Sequence, residues 1–236
     1  MVADDGLPDP PKALTTTWSQ VSGPGTVIFD DASAINTAAV IPEVGIYTLR
    51  LTADDGELAT FDDVTIELVL PCNGTYADRF NNPVFNGSNG TIDWSTSPWG
   101  EVGESDGPTS GDIRVMSDLG SNRLRLRDND NGGEGVERQV DLSGAVAAKL
   151  IFYYRRNGLD NANDYVKFEI SPNGPAGPWT ELFRFQGPGT DAAFQMVEVD
   201  ISAYASSNTR LRFLTSPSMG GTDTVWIDDV YMKCGS

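Results

Sequence analysis

The side chains that could do chemistry in this 236-residue sequence are carboxylates, aromatic rings, arginines and two cysteines; histidine is absent. Without histidine there can be no Ser-His-Asp or Cys-His nucleophile and no histidine-ligated metal, and two cysteines alone do not make a zinc site. The carboxylates offer two kinds of chemistry. The first is calcium binding, which draws on six to eight hard oxygens. Asp78 and the pair Asp228-Asp229 stand near the two ends of the segment 72–236. If the terminal strands pair, these three carboxylates come together. Strand alternation puts only one of Asp228 and Asp229 on the inner face, and a buried carboxylate needs a cation or hydrogen bonds. A structural Ca2+ held by Asp78, Asp228 and Asp229 is one expectation. Pairing with Arg79, or a carboxylate satisfied by hydrogen bonds, is the other. The second kind is acid–base work. Glycosidases need two acids about 5–10 Å apart, and among 34 acidic residues some pair meets that spacing by chance. Nothing marks one of them as buried with a raised pKa, so the expectation is a protein that is not an enzyme.

The aromatic residues suggest sugar recognition, in which a ring stacks on the C–H face of a sugar and polar neighbours bind its hydroxyls. Trp94 and Trp99 lie in a stretch rich in Ser, Thr, Pro and Gly, from Asp93 to Gly107. A tryptophan there is either a lid over a core or a ligand platform, and both readings stand. Tyr153 and Tyr154 adjoin Arg155 and form a candidate polar-aromatic ledge. The candidate ligand residues are therefore Trp94, Trp99, Tyr153, Tyr154 and Arg155. Trp179 follows a Gly-Pro turn and is a further exposed candidate, whereas Trp18 and Trp226 sit inside strand patterns and read as core. Arg123, Arg125 and Arg127 share one strand face, where they either bind acidic glycans or offset acidic neighbours. Asp128–Glu134 has the opening spacing of an EF-hand loop, but Gln139 occupies the twelfth position and strands flank it. A polar inter-strand loop is the alternative.

The elements that position these residues read as strands throughout. Short runs of period two, such as 45–51, 123–127, 148–154, 165–170, 181–185, 195–199, 210–214 and 225–232, are separated by clusters of Gly, Pro, Asn and Asp. Such spacing predicts an all-β chain of antiparallel sandwiches. Charge divides the chain. Residues 1–71 carry 12 acids against 2 bases, and residues 72–236 carry 22 against 14. The shift falls at Pro71-Cys72-Asn73-Gly74, which sets domains at 1–71 and 72–236. A net charge of −18 repels phosphate backbones, so nucleic acid is not an expected partner. No apolar run approaches the roughly 20 residues of a membrane span, and the first residues lack the basic and apolar regions of a signal peptide. The acidity suits salty or calcium-rich surroundings, or simply solubility.

Two resemblances accompany this reading. Trp18-Ser-Gln-Val-Ser-Gly-Pro-Gly25 with Gly45-Ile-Tyr-Thr-Leu-Arg-Leu-Thr-Ala-Asp-Asp-Gly56 resembles the PKD-type immunoglobulin-like sandwich. That family implies an extracellular spacer or adhesion module. It usually has one or two further strands before this point, so an N-terminally truncated sandwich with an exposed edge is expected. The second segment is similar to a jelly-roll module found at the C-terminal ends of secreted bacterial multidomain proteins. The similarity rests on 100–107, 126–133, 140–144, 200–204 and the ending Val225-Trp-Ile-Asp-Asp-Val230, which is distantly similar to MAM and galactose-binding-like domains. It implies an accessory binding or scaffolding role, and related modules with a structural calcium support the metal reading above. In such an extracellular setting, Cys72 and Cys234 at the two ends of the module favour one disulfide, with two free thiols as the alternative. The combined expectation is a non-catalytic carbohydrate-binding or adhesion module, disulfide-clasped and calcium-stabilised, in a longer secreted or cell-surface chain. Its partner would be a polysaccharide or cell-surface glycan. The alternative is a purely structural spacer or docking module for a catalytic partner.

Overall fold

The structure, a computed structural model, describes residues 14–68, 72–128 and 133–235. It is almost wholly β, as the periodicity predicts, with one turn of 3-10 helix at Ser202–Tyr204. No helix among the described residues is long and apolar enough to cross a membrane. The chain divides into two compact units, Met1–Leu70 and Pro71–Ser236.

In the first unit, β1 (Thr15–Ser22), β2 (Ile28–Phe29), β3 (Ala39–Val40), β4 (Gly45–Asp54) and β5 (Ala59–Leu68) form a three-stranded sheet, β1-β4-β5, and the small pair β2-β3. Alternation along β4 turns Tyr47 and Leu49 inward, where they meet Val27. Trp18, expected in the core, is only partly buried; it packs beside that trio and stacks with Phe29 at 6.3 Å between centroids. Gly23 has φ +144, and a Cβ there would overlap the Tyr47 ring, so glycine is what lets this turn close on the core. The Asp55-Gly56 turn forms as the sequence predicts, with Asp55 accepting the amides of Glu57 and Leu58 at 2.8 Å each. Most of β5 is exposed, Phe61 and Val64 included. Among the described residues β5 pairs only with β4.

The second unit is a sandwich. Its strands are β6 (Gly74–Asp78), β7 (Gly100–Val102), β8 (Arg114–Asp118), β9 (Ser121–Leu126), β10 (Gly135–Val140), β11 (Ala147–Asn157), β12 (Tyr165–Ser171), β13 (Thr180–Gln186), β14 (Gln195–Asp200), β15 (Thr209–Thr215) and β16 (Thr224–Gly235). One sheet runs β13-β12-β15-β10-β7; the other runs β14-β11-β16-β9-β8, with β6 also on β16. The paired strands are antiparallel throughout. From β10 to β16 the chain passes repeatedly between the sheets, so neither layer is complete without the other. The inner faces supply one core, in which Phe152, Phe168, Phe185 and Phe213 form a cluster with centroids 5.2–5.7 Å apart.

Cys72 and Cys234 are joined in a disulfide with Cα atoms 5.5 Å apart. The bond clasps the start of the unit to the far end of β16, and it closes a sequence separation of 162 residues. Loop-closure entropy for so long a loop corresponds to at most about 5 kcal/mol. Replacing both cysteines by serine should therefore lower the urea midpoint of this unit with little change at the first. A midpoint unchanged from the oxidised wild type would refute the stabilising role. Because the first unit buries so little, the amides of β4 should exchange with solvent faster than those of β11. Equal protection of Leu49 and Leu150 would contradict this.

Candidate functional site

Asp78, expected at a metal, sits at the last position of β6 and is 1% exposed. Its ionic partner is not Arg79, which is exposed. It is Arg138 on β10, a fully buried arginine whose Nη1 donates to Asp78 Oδ2 at 2.9 Å. The rest of the guanidinium donates to backbone carbonyls: Ser97 at 2.5 Å, Trp94 at 2.6 Å and Gly87 at 3.0 Å. Asp78 also accepts the Phe80 amide at 3.0 Å and the Trp99 indole N–H at 3.1 Å. Burial lowers the Arg138 pKa to about 10, with Asp78 opposing the shift, so the guanidinium remains charged at neutral pH. Gly87 packs so closely that a Cβ on it would overlap the Asp78 carboxylate.

This pair also accounts for the tryptophans. Trp94 and Trp99 are each 2% exposed, and the Arg138 guanidinium lies 3.7 Å from the centroid of the Trp94 ring and 5.6 Å from that of Trp99. The Trp94 indole N–H donates to the Gln139 carbonyl at 2.7 Å. Of the two readings of the 93–107 stretch, the lid is the one the structure contains. Both rings pack into the core, and Trp94 also borders a cavity of about 340 Å³ with Tyr76, Asp93 and Gln139. Composition alone leaves both readings open, because Ser, Thr, Pro and Gly mark irregular backbone whether it lies on the surface or folds over a sandwich end.

The pair Asp228-Asp229 departs from simple alternation. Ile151 faces Tyr231 and Tyr153 faces Asp228, so β16 carries one extra residue opposite β11. Asp229 has φ +50, and the bulge leaves Ile227 and Val230 inward while both aspartates are half-buried outside the core. Asp228 accepts from Arg123 Nε at 3.0 Å, and Asp229 accepts from the Tyr231 hydroxyl at 3.0 Å. Burial first, and then Asp229, push the Asp228 carboxyl above its usual range. Among the described residues, Asp78, Asp228 and Asp229 do not form a group with oxygens within 4.8 Å of one another. Part of the EF-hand-like segment, 129–132, lies outside the described residues. Asp128 accepts the Gly133 amide at 2.8 Å.

Alternation also separates the three consecutive residues of the expected ledge. Tyr153 and Arg155 belong to the outer face of their sheet, and Tyr154 to the opposite side. On the outer face Arg155 donates to both oxygens of Asp118 at 2.7 and 2.8 Å, Arg125 lies 3.7 Å from Asp112, and Arg127 pairs with the same Asp112. These arginines offset acidic neighbours, one of the two readings allowed by the sequence. Trp226, expected in the core, is 8% exposed but stands on this outer face, with Arg125 and Arg155 in register on either side.

Tyr154 lines an open groove of about 590 Å³ between the edge strands β13 and β14, together with Leu182, Phe183, Gln195, Met196, Glu198 and Asp200. Its hydroxyl donates to Gln195 Oε1 at 3.0 Å, and its ring lies 4.3 Å from Phe185 and 6.0 Å from Phe183. A bulge in β13 opposite Phe168/Glu169 turns the neighbours Leu182 and Phe183 into the same groove. The site thus has an aromatic and aliphatic floor and a polar rim. Phe183, Gln195 and Glu198 were visible in the sequence only as strand residues. Nothing in a single strand marks it as the edge of a sheet. Trp179, just before β13, is half-exposed on the outer side of that strand's sheet, where Arg212 of β15 lies 3.9 Å from its ring centroid.

No protein-family model matches the chain. Among solved structures it is similar to the K2 cleaved adhesin domain of Lys-gingipain, at 16% identity and a TM-score of 0.45, covering 67% of this chain and 99% of that one. It is similar to the K3 cleaved adhesin domain of Lys-gingipain from Porphyromonas gingivalis at 11% identity and a TM-score of 0.46, covering 68% and 99%. The CBM22-1 xylan-binding domain of Paenibacillus barcinonensis Xyn10C follows at 12% identity and 0.44, covering 70% and 97%. Likeness at this level carries no ligand from those proteins to this one.

Removing one member of the buried pair strands the other. Arg138→Met should destabilise the second unit by about 3–5 kcal/mol, whereas Arg138→Met with Asp78→Leu should cost less than the sum of the single changes. Additive losses in urea unfolding would contradict the pairing.

Proposed function

We propose that residues 72–235 form a non-catalytic carbohydrate-binding or adhesion module that takes a polysaccharide or cell-surface glycan along the β13–β14 groove. The observation that carries this reading is the groove itself, in which Tyr154, Phe183 and Leu182 make an apolar floor beside Gln195, Glu198 and Asp200. Its volume of about 590 Å³ suits one or a few sugar rings. Apolar C–H faces would rest on the rings while amide and carboxylate oxygens receive the hydroxyls. In this reading the module belongs to a longer secreted or cell-surface protein, and residues 14–68 are a PKD-like spacer. The disulfide supports an oxidising compartment.

A second reading, a purely structural spacer or docking module, is favoured by the burial of Trp94 and Trp99. Affinity for a broad polysaccharide panel separates the two. Binding by the wild type should fall about tenfold in Phe183→Ala and in Gln195→Ala, a loss of about 1.4 kcal/mol each, with unfolding midpoints checked alongside. Loss of binding in Trp179→Ala with Phe183→Ala unaffected would move the site to the outer face of the β13-β12-β15-β10-β7 sheet. No binding to any glycan by the folded wild type would favour the structural reading.

A further inference from the structure

Away from the groove and from Arg138, two loops bring three carboxylates together. Asp160 and Asp164 lie between β11 and β12, with Asp164 immediately before β12; Asp223 immediately precedes β16. One carboxylate oxygen from each lies within 4.8 Å of the other two. Asp164 has no exposed surface and Asp223 is 3% exposed, while Asp160 is open to solvent.

The two buried carboxylates are only half satisfied. Asp164 Oδ2 accepts the Asn161 amide at 2.9 Å, and Asp223 Oδ2 accepts the Gly220 amide at 2.7 Å. These contacts fix each side chain within its own loop. The Oδ1 atom of each is sealed from water and has no hydrogen-bond partner. Neither is in contact with a cationic side chain: Arg156, on the strand that leads into the first loop, is held by Asp191 at 2.7 Å. Burial, together with the nearby Asp164 and Asp160 charges, pushes the Asp223 carboxyl upward. Buried acceptors normally have partners, and a buried carboxylate left with an empty oxygen loses its hydration without return.

We propose that Asp160, Asp164 and Asp223 are a binding site for a calcium ion. Three convergent carboxylates form a hard-oxygen donor set, and the two unpartnered Oδ1 atoms are the acceptors a cation would satisfy. Calcium tolerates the irregular geometry that two loops present and completes its shell with water and loop oxygens, whereas magnesium requires a near-ideal octahedron and releases its water reluctantly. Asp164 opens a strand of one sheet and Asp223 a strand of the other. The ion therefore ties the two layers of the sandwich at this end, where Asn157 faces Thr224. Its role is to hold the fold together, independent of any glycan.

The full chain, stripped with EDTA, is titrated with calcium chloride by calorimetry and followed by thermal unfolding. Wild type is expected to gain about 5–10 °C at calcium about a hundredfold above Kd. Asp164→Asn with Asp223→Asn should remove one bound ion and that gain. Because the double change is buried, Asp160→Asn serves as a second variant on an exposed side chain, with calcium affinity lowered about tenfold and the calcium-free midpoint unchanged. The assignment is overturned if wild type shows no calcium-dependent shift, or if Asp160→Asn and the double variant keep wild-type affinity and stoichiometry.

Discussion

A guanidinium with no exposed surface sits inside the sandwich, and its surroundings are arranged to keep it charged. Arg138 enters from one sheet and Asp78 from the other, so this buried ion pair also joins the layers. Such a pair has little margin, because the cost of removing two ions from water is met only when every remaining donor and acceptor finds a partner. Here three backbone carbonyls, one amide and one indole N–H complete the set. The carbonyls come from the stretch around Gly87 to Ser97, which carries no regular strand. That irregular chain is therefore a structural part of the core: it supplies the oxygens that a sheet, with its own carbonyls engaged, could not spare. Trp94 completes the enclosure by lying over the cation, with Trp99 beside it.

The same economy governs the outer faces. A chain with net charge −18 has few cations to place, and on each sheet they stand beside acids. Arg155 and Arg123 share Asp118, Arg125 and Arg127 share Asp112, and on the other sheet Arg212 and Lys167 share Glu169. Shared acids make networks out of side chains that as isolated surface pairs would contribute little. Against this pattern the cluster of Asp160, Asp164 and Asp223 stands apart, because no arginine or lysine has been placed with it.

How far the sequence discloses this arrangement depends on whether a residue obeys alternation. Along β15, and along β11 from Ala147 to Tyr154, the period of two is unbroken, and the inward-facing residues follow directly from it. The failures occur where one residue is inserted. A bulge at Asp229 takes both aspartates out of the core, and a bulge in β13 brings Leu182 and Phe183 side by side. Neither is visible without the partner strand, since a bulge is a mismatch between two strands. Arg138 was different. It occupies the inward register between Val136 and Val140, and an arginine at such a position requires a buried anion. That signal points to an arginine partner for Asp78, the second of the two expectations, with Arg138 in the place of Arg79. The disulfide followed from the placement of its cysteines, because a sandwich whose first and last strands are neighbours brings its ends together.

That adjacency has a mechanical consequence. Tension applied at the two ends of the second unit enters at Cys72 and leaves at Cys234, points 5.5 Å apart and covalently joined. The load bypasses the β6–β16 hydrogen bonds, and the 161 residues between the cysteines bear none of it. Under oxidising conditions the unit behaves as an inextensible link. Pulled in flow or against a surface, it would keep its groove folded at forces that unravel an unclasped sandwich, and only a reductant would release its stored length.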